Sequence, residues 1–447
     1  MKKNEYSLFT TVAMIVGIVI GSGIFFKSDN ILIATGGNIG LGILLFIVAA
    51  ISIIFGGLSI AELASRNSAS GGIIAYAESS YNKSVACSFG WFQTFLYFPS
   101  ITAVLSWIFG VFLCMLFGVT TSLFVQMLIG FIAMTVLFIT NVLSVKIGAY
   151  IQNAATIIKL LPLIFIAVAG MIFGNPGLAF TNTTSEAVSS SVWIGAIGAI
   201  APIAYSFDGW IVSTSISSEI KNPKRNLPLA LIISPLIILL VYISYFIGIT
   251  TLVGPSKVME LGDSHVSFAA TMLLGNFGAK ILLIFVVISI MGTLNGIILG
   301  SIRLPHALAE RGMYPNSKLF SKINDNYGVS VHSAIAAFAV SSVWVIVNFI
   351  TQQFNLLPNS DVSDIAIAFN YVGYILLYLC IYKLKIKGEI KGIFRGIVTP
   401  TLAILGSLVI LGGVFNNPLF FYYLIFSSVI IILAIVFWRN KSNLNID

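Results

Sequence analysis

Two short stretches of this chain place glycine and polar residues inside long apolar runs. The first, GIVIGSGIFFKSDN, carries Gly21, Ser22 and Gly23, and the second, AYSFDGW, carries Asp208 and Gly209. Glycine costs roughly 1 kcal/mol relative to alanine in a helix interior, and a carboxylate at the centre of a membrane costs about 3 kcal/mol or more. Each stretch therefore predicts an interrupted helix with a polar site at the interruption.

The ends of an interrupted helix are chemically complementary to a zwitterion. The N–H groups that begin one half-helix suit a carboxylate, and the carbonyls that end the other half-helix suit an ammonium group. We expect a substrate carboxylate at the amides of Ser22, Gly23 and Ile24, with help from the Ser22 hydroxyl. The amino group is expected against carbonyls near Ile20 and Phe207.

The composition places both stretches in a membrane. The 447 residues are 58% hydrophobic and 9% charged, with a mean hydropathy of +1.03. Hydrocarbon about 30 Å thick requires roughly 20 mostly apolar residues for each crossing. We predict one all-α, polytopic transmembrane domain, residues 1–447, without a soluble appendage. The twelve predicted spans are 8–35, 39–65, 84–117, 121–141, 150–174, 191–218, 228–253, 277–304, 331–352, 361–383, 394–415 and 418–438.

Most basic residues lie on one side of this arrangement. Lysine and arginine cluster before span one and after even-numbered spans, whereas the opposite loops NPGLAFTNTTSEAVSSS and TQQFNLLPNS contain neither. The positive-inside rule then predicts that both termini are cytoplasmic. The net charge of +8 is explained by topology in a plasma membrane protein whose surroundings are the lipid bilayer, and it implies no nucleic-acid partner.

The interrupted spans, one and six, each begin a run of five. Because five is odd, a five-span repeat must be inverted in the membrane, and matching interruptions in inverted halves indicate a transporter's central binding site. We therefore expect a first repeat over 8–174, a second over 191–383 and two additional spans over 394–438. Taken alone, Gly17 and Gly21 also fit a G-x-x-x-G helix-packing motif.

Five motifs in order resemble the amino acid-polyamine-organocation transporters. They are GSGIF in span one, NVLSVKIGAYIQNAATIIKLLPL at span five, SFDGW in span six, SEIKNPKRNLPLA after it and RLPHALAERGMYP after span eight. The chain is most similar to the L-type amino acid transporter branch and its prokaryotic serine/threonine exchanger relatives. The resemblance implies the fold of the bacterial leucine transporter, with five plus five inverted spans, two further spans and alternating access to a central amino acid site.

The resemblance also assigns roles to individual residues. It supports Ser22 and Gly23 at the carboxylate and implies that Tyr205 is an aromatic gate. It places the ammonium of Lys159, in span five, where sodium-coupled relatives hold a sodium ion, and we expect it to tether span one to span eight at Ser289. This predicts sodium-independent exchange. The alternative is a proton-coupled symporter in which Lys159 loses its proton during the cycle.

The substrate side chain is less closely defined. Asp208 either attracts a basic side chain or caps the second half-helix of span six. Tyr242, in span seven, either lines the site or only packs. We expect small or medium neutral L-amino acids, with cationic amino acids as the alternative.

Enzymatic activity is not expected. His265, His306 and His332 form no metal spacing and no nucleophile–base grouping, so we expect neither a metal nor another cofactor. The three cysteines form no framework. The mammalian members of the branch bond an accessory glycoprotein through a loop cysteine, but Cys114 lies in an apolar part of span three. We therefore expect no such heavy-chain partner and a monomer.

Overall fold

The computed structural model describes residues 6–21, 23–67, 69–177, 190–357, 361–415 and 420–443. These residues are almost entirely helical. Their only β-type pairing is an isolated bridge between Tyr6 and Ile220. An apolar chain in hydrocarbon must satisfy its backbone groups internally, and helices do so segment by segment. The all-α prediction is confirmed.

Ten helices in the described part of the chain are long and apolar enough to cross a membrane. They correspond to spans two to five and seven to twelve. Spans one and six supply the other two crossings as broken helices, so the twelve-span prediction holds. The ten bounds are Ile39–Arg66, Lys83–Leu116, Leu123–Leu143, Val145–Phe173, Pro223–Val253, Gly278–Ser301, Val331–Gln353, Val362–Ile386, Thr399–Phe415 and Phe420–Asn443.

Span one consists of two half-helices rather than a continuous helix. The inner half-helix is Leu8–Val19, and the outer half-helix is Ser28–Ala34. A 3-10 turn, Gly23–Phe26, leads into the outer half. Throughout, "inner" denotes the side on which lysine and arginine cluster. The inner half-helix packs against spans five, seven and eight, which places the break at the centre of the protein.

Span six is broken in the corresponding way. Its helix Ser190–Tyr205 ends in a tight turn, and a 3-10 segment, Trp210–Glu219, continues toward the inner side. Gly209 has φ 91°, a conformation that disfavours any residue with a Cβ. A Cβ at this position would also lie 2.6 Å from Cγ2 of Ile18. The glycine therefore permits both the turn and the close approach of the two broken spans.

Candidate functional site

The break in span one presents backbone to open space. The inner half-helix ends with the amide of Gly21 donating to the carbonyl of Val19 at 2.9 Å. A Cβ built on Gly23 meets nothing within 4 Å, and Gly21, Gly23 and Ile24 all border a central cavity. The predicted carboxylate site at Gly23 and Ile24 thus lies on the cavity wall. Ser22 lies outside the described residues.

The cavity has a volume of about 760 Å³ and lies between the two breaks. It continues to the outer side, where Lys27, Asn30 and Asp361 border it. This volume exceeds what one amino acid needs and falls in the range of ordinary ligand pockets. The cavity is also lined by Tyr205, Asp208 and Tyr242, three of the predicted site residues, and by Gly209.

Tyr242 connects the two breaks. Its hydroxyl lies 2.8 Å from the carbonyl oxygen of Ser206 and 3.2 Å from that of Val19. Its ring packs against Phe207, with ring centroids 4.9 Å apart. Phe207 is fully buried and is not among the cavity-lining residues. The turn directs the Phe207 side chain into the protein and leaves Ser206 on the cavity wall, and the ammonium position at carbonyls near Phe207 stays a prediction.

Lys159 binds the break in span one from the side that faces away from the cavity. Its buried Nζ donates to the carbonyls of Gly17 at 2.5 Å and Ile20 at 2.8 Å, and to Oγ1 of Thr293 at 3.1 Å. The lysine joins spans one, five and eight, but the hydroxyl in span eight belongs to Thr293 instead of Ser289. The two residues share a helix face, one turn apart, and only Thr293 reaches the level of the break.

This arrangement also changes the expected roles of Ile20 and Ser289. Ile20 is fully buried, and its carbonyl already accepts a hydrogen bond from Lys159. Ser289 Oγ is buried and has no hydrogen-bond partner among the described residues. Neither residue lines the cavity. Ile20 contributes to the site by holding Lys159.

Asp208 is the acidic residue nearest the two breaks. Its Oδ2 accepts a hydrogen bond from the Tyr97 hydroxyl at 2.7 Å. Its Oδ1 is buried, and although the Gly209 amide is nearby, this oxygen has no partner with hydrogen-bond geometry in the described residues. The following 3-10 segment receives no side-chain cap. Asp208 lines the cavity, and both predicted roles, attraction of a basic side chain and capping of the second half-helix, stay predictions.

The inner side of the site is closed by an ion pair between spans six and eight. Nε and Nη2 of Arg303 donate to the two carboxylate oxygens of Glu219 at 2.5 and 2.9 Å. The amide of Tyr6 donates to the Glu219 carbonyl at 3.1 Å, and the amide of Lys221 donates to the Tyr6 carbonyl at 2.8 Å. The structure is therefore sealed on the inner side and has its cavity on the outer side.

Sequence reasoning missed Tyr97, Thr293 and Arg303. Thr293 lies four residues after the predicted Ser289, so helical periodicity pointed to the correct face. Tyr97 and Arg303 had no local signal, because each acts on a partner more than 80 positions away.

The chain is similar to known transport proteins over nearly all of its length. The family model described as amino acid permease matches residues 6–437. The "Serine/threonine exchanger SteT" of Bacillus subtilis (strain 168) is 30% identical over 92% of this chain and 91% of the relative. The "b(0,+)-type amino acid transporter 1" of Mus musculus is 27% identical over 93% and 84%. The human "Cystine/glutamate transporter" is 29% identical over 70% and 62%.

Proposed function

Because the chain belongs to the amino acid permease family, we propose that it is a sodium-independent exchanger of small or medium neutral L-amino acids. Amino acid transport itself follows from the family and its relatives. The ion requirement, the exchange mode and the side-chain preference are the proposal. Transport proceeds by alternating access, and the inner seal and outer cavity represent one end of that cycle.

The position of Lys159 carries the proposal of sodium independence. Its ammonium occupies a set of oxygens from Gly17, Ile20 and Thr293. Carbonyl and hydroxyl oxygens around an unwound helix are the ligands that hold a coupling ion in transporters of this architecture. The Lys159 ammonium belongs to span five and therefore always occupies this position. The carbonyl oxygens at the break thus have a cationic partner without sodium.

The substrate itself lies between the two breaks. Its carboxylate binds the amides at Gly23 and Ile24. The backbone is accessible there because Gly23 has no side chain, and a Cβ built on it meets nothing within 4 Å. Its ammonium faces carbonyls of the opposite break, where each carbonyl oxygen has a second lone pair for an incoming donor. Tyr205, half-buried on the cavity wall, covers the substrate as an aromatic gate.

The exchange mode is supported by the similarity to the Bacillus subtilis relative, a serine/threonine exchanger. A neutral side chain fits the mainly apolar wall contributed by Ile18, Ile101, Val104 and Ile203. We place the protein in the plasma membrane with both termini cytoplasmic. It is proposed to act as a monomer without a heavy-chain glycoprotein, since Cys114 is buried and receives a hydrogen bond from Thr121 at 3.4 Å.

A second candidate substrate class is cationic amino acids. The charged residues among the described cavity-lining positions are Lys27, Asp208, Asp361 and Asp364, which is three carboxylates and one ammonium. Asp361 and Asp364 also form a capping box at the start of span ten. Asp208, with one oxygen lacking a hydrogen bond, is the group that favours a basic side chain.

Purified protein in liposomes tests these proposals. Liposomes loaded with unlabelled L-serine should take up radiolabelled L-serine, whereas empty liposomes should not. Replacing external sodium by choline should leave the rate unchanged. Uptake into empty liposomes driven by a pH gradient would instead indicate a proton-coupled symporter, and a strict requirement for sodium would overturn the role given to Lys159. Competition by the common amino acids then ranks neutral against cationic side chains.

A further inference from the structure

The carboxylate of Asp208 accepts a hydrogen bond from a tyrosine that does not line the cavity. Tyr97 is fully buried, and its hydroxyl donates to Oδ2 of Asp208 at 2.7 Å. Hydrogen bonds to an ionised acceptor are roughly twice as strong as those between neutral groups. One oxygen is thereby fixed against span three, while Oδ1 is buried without a partner of hydrogen-bond geometry among the described residues. Asp208 as a residue lines the cavity.

The local backbone of span three brings Tyr97 to this position. Residues Gln93–Tyr97 form a π-helical turn, in which the amide of Phe98 donates to the carbonyl of Gln93. One-turn π-bulges in α-helices occur frequently at functional sites. Gln93 and Tyr97, the first and last residues of this turn, contact span ten and span six, respectively.

A buried chain of hydrogen bonds fixes the orientation of the tyrosine hydroxyl. Gln93 Nε2 donates to Oδ1 of Asn370 at 2.9 Å, and Asn370 Nδ2 donates to the hydroxyl of Tyr374 at 2.7 Å. The hydroxyl of Tyr374 interacts in turn with that of Tyr97. All four side chains are buried, so water does not compete with these bonds. The hydrogen of Tyr97 is consequently directed to Asp208.

We propose that Tyr97 is a positioning residue for substrate selectivity, which stabilises the ionised carboxylate of Asp208 at the cavity wall so that amino acids with a basic side chain, the second candidate substrate class, are accepted beside neutral ones. The proposal rests on amino acid transport through this cavity and concerns the side chain of the substrate alone. Tyr97 acts through Asp208, so it should influence basic substrates and leave the binding of the shared carboxylate and amino group unchanged.

The test compares inhibition by L-lysine and by L-leucine of radiolabelled L-serine exchange in liposomes. Tyr97→Phe should raise the inhibition constant of lysine about tenfold, the size of one lost hydrogen bond to a charged group, and that of leucine less than twofold. Tyr371→Phe is the matched control, because the Tyr371 hydroxyl is buried in the same region of span ten and has no hydrogen-bond partner in the described part of the chain. It should change neither constant.

A double variant separates positioning from a general structural effect. In the background of Asp208→Asn, the further change Tyr97→Phe should leave the lysine constant within about twofold, because its target is already neutral. Equal losses for lysine and leucine, or an unchanged lysine constant in Tyr97→Phe, would overturn the proposal. If Tyr97→Phe does not fold, Asp208→Asn decides alone, since retained lysine inhibition in that variant also overturns it.

The same measurements distinguish this proposal from the function on which it rests. Wild-type protein that exchanges serine but is not inhibited by lysine overturns the selectivity role alone. Wild-type protein that exchanges no amino acid overturns the proposed function as well.

Discussion

Replacing Lys159 by alanine tests the role of the fixed cation most directly. The ammonium donates to two backbone carbonyls of span one and to the hydroxyl of Thr293, at 2.5, 2.8 and 3.1 Å. Each hydrogen bond to a charged group contributes about 1.5–3 kcal/mol. Water that enters from the cavity will replace part of this loss. The two carbonyl bonds at the lower limit give about 3 kcal/mol, which corresponds to turnover that is slower by roughly 150-fold.

The loss should appear in the rate and only weakly in binding. Lys159 lies behind the break, whereas Gly23 and Ile24 border the cavity and keep their amides in the variant. Serine exchange in loaded liposomes gives the rate, and scintillation proximity binding to the purified protein gives the affinity. Lys159→Met, which keeps the length and removes the charge, should lose the same rate. Lys280→Ala, at an exposed lysine that begins span eight, should transport normally.

Two results would refute this reasoning. Turnover of Lys159→Ala within about threefold of the wild type would show that the break does not depend on the ammonium. If Lys159→Met transported at the wild-type rate while Lys159→Ala was slow, side-chain volume, and not charge, would hold the three spans together.

Three further predictions follow from the geometry. Gly23→Val should abolish detectable serine binding, because the new side chain enters the cavity, while Gly412→Val, where an added Cβ also meets nothing within 4 Å, should bind normally. Gly209→Ala should lower the free energy of unfolding by about 1–3 kcal/mol, since φ is 91° at this position, as measured by thermal unfolding in detergent. Arg303→Gln removes the paired bonds to Glu219. In a Ser217→Cys background, whose position is buried next to the pair, it should increase labelling by a thiol reagent from the inner side; unchanged labelling would exclude the pair as a seal.

Much of the site was predictable because the residues that build it are unusual for their surroundings. Glycine at positions 21, 23 and 209 is costly in a helix, and Asp208 and Lys159 are costly in a membrane. Residues retained at such a cost indicate either a functional site or a compensating contact. The two breaks, the cavity between them and the lysine behind them all coincide with these positions.

The partners of these residues could not be predicted in the same way. Ser289 and Thr293 lie on one helix face, and the choice between them depends on how far span eight is shifted along its axis relative to span five. Tyr97, which contacts Asp208, ends a π-helical turn that local sequence did not indicate. Both outcomes depend on packing between distant segments, which residue spacing within one helix does not determine.

The contacts that hold the break and those that seal the inner side converge on one element, the inner half-helix Leu8–Val19. Span five runs parallel to it and contacts it at successive turns. Thr156 Oγ1 donates to the carbonyl of Ala13 at 2.8 Å, and Lys159 donates to that of Gly17 at 2.5 Å. These bonds hold the inner half-helix against span five in the inner-sealed structure.

The inner seal adds a second set of bonds to the same element. Tyr6, just before the half-helix, exchanges backbone hydrogen bonds with Glu219 and Lys221, which follow the break in span six. Movement of the first half-helix thus also releases the inner part of the second broken span. At the proposed site between the two interruptions, a bound substrate would contact both of these linked elements, and this shared contact provides a physical basis for coupling binding to inward opening.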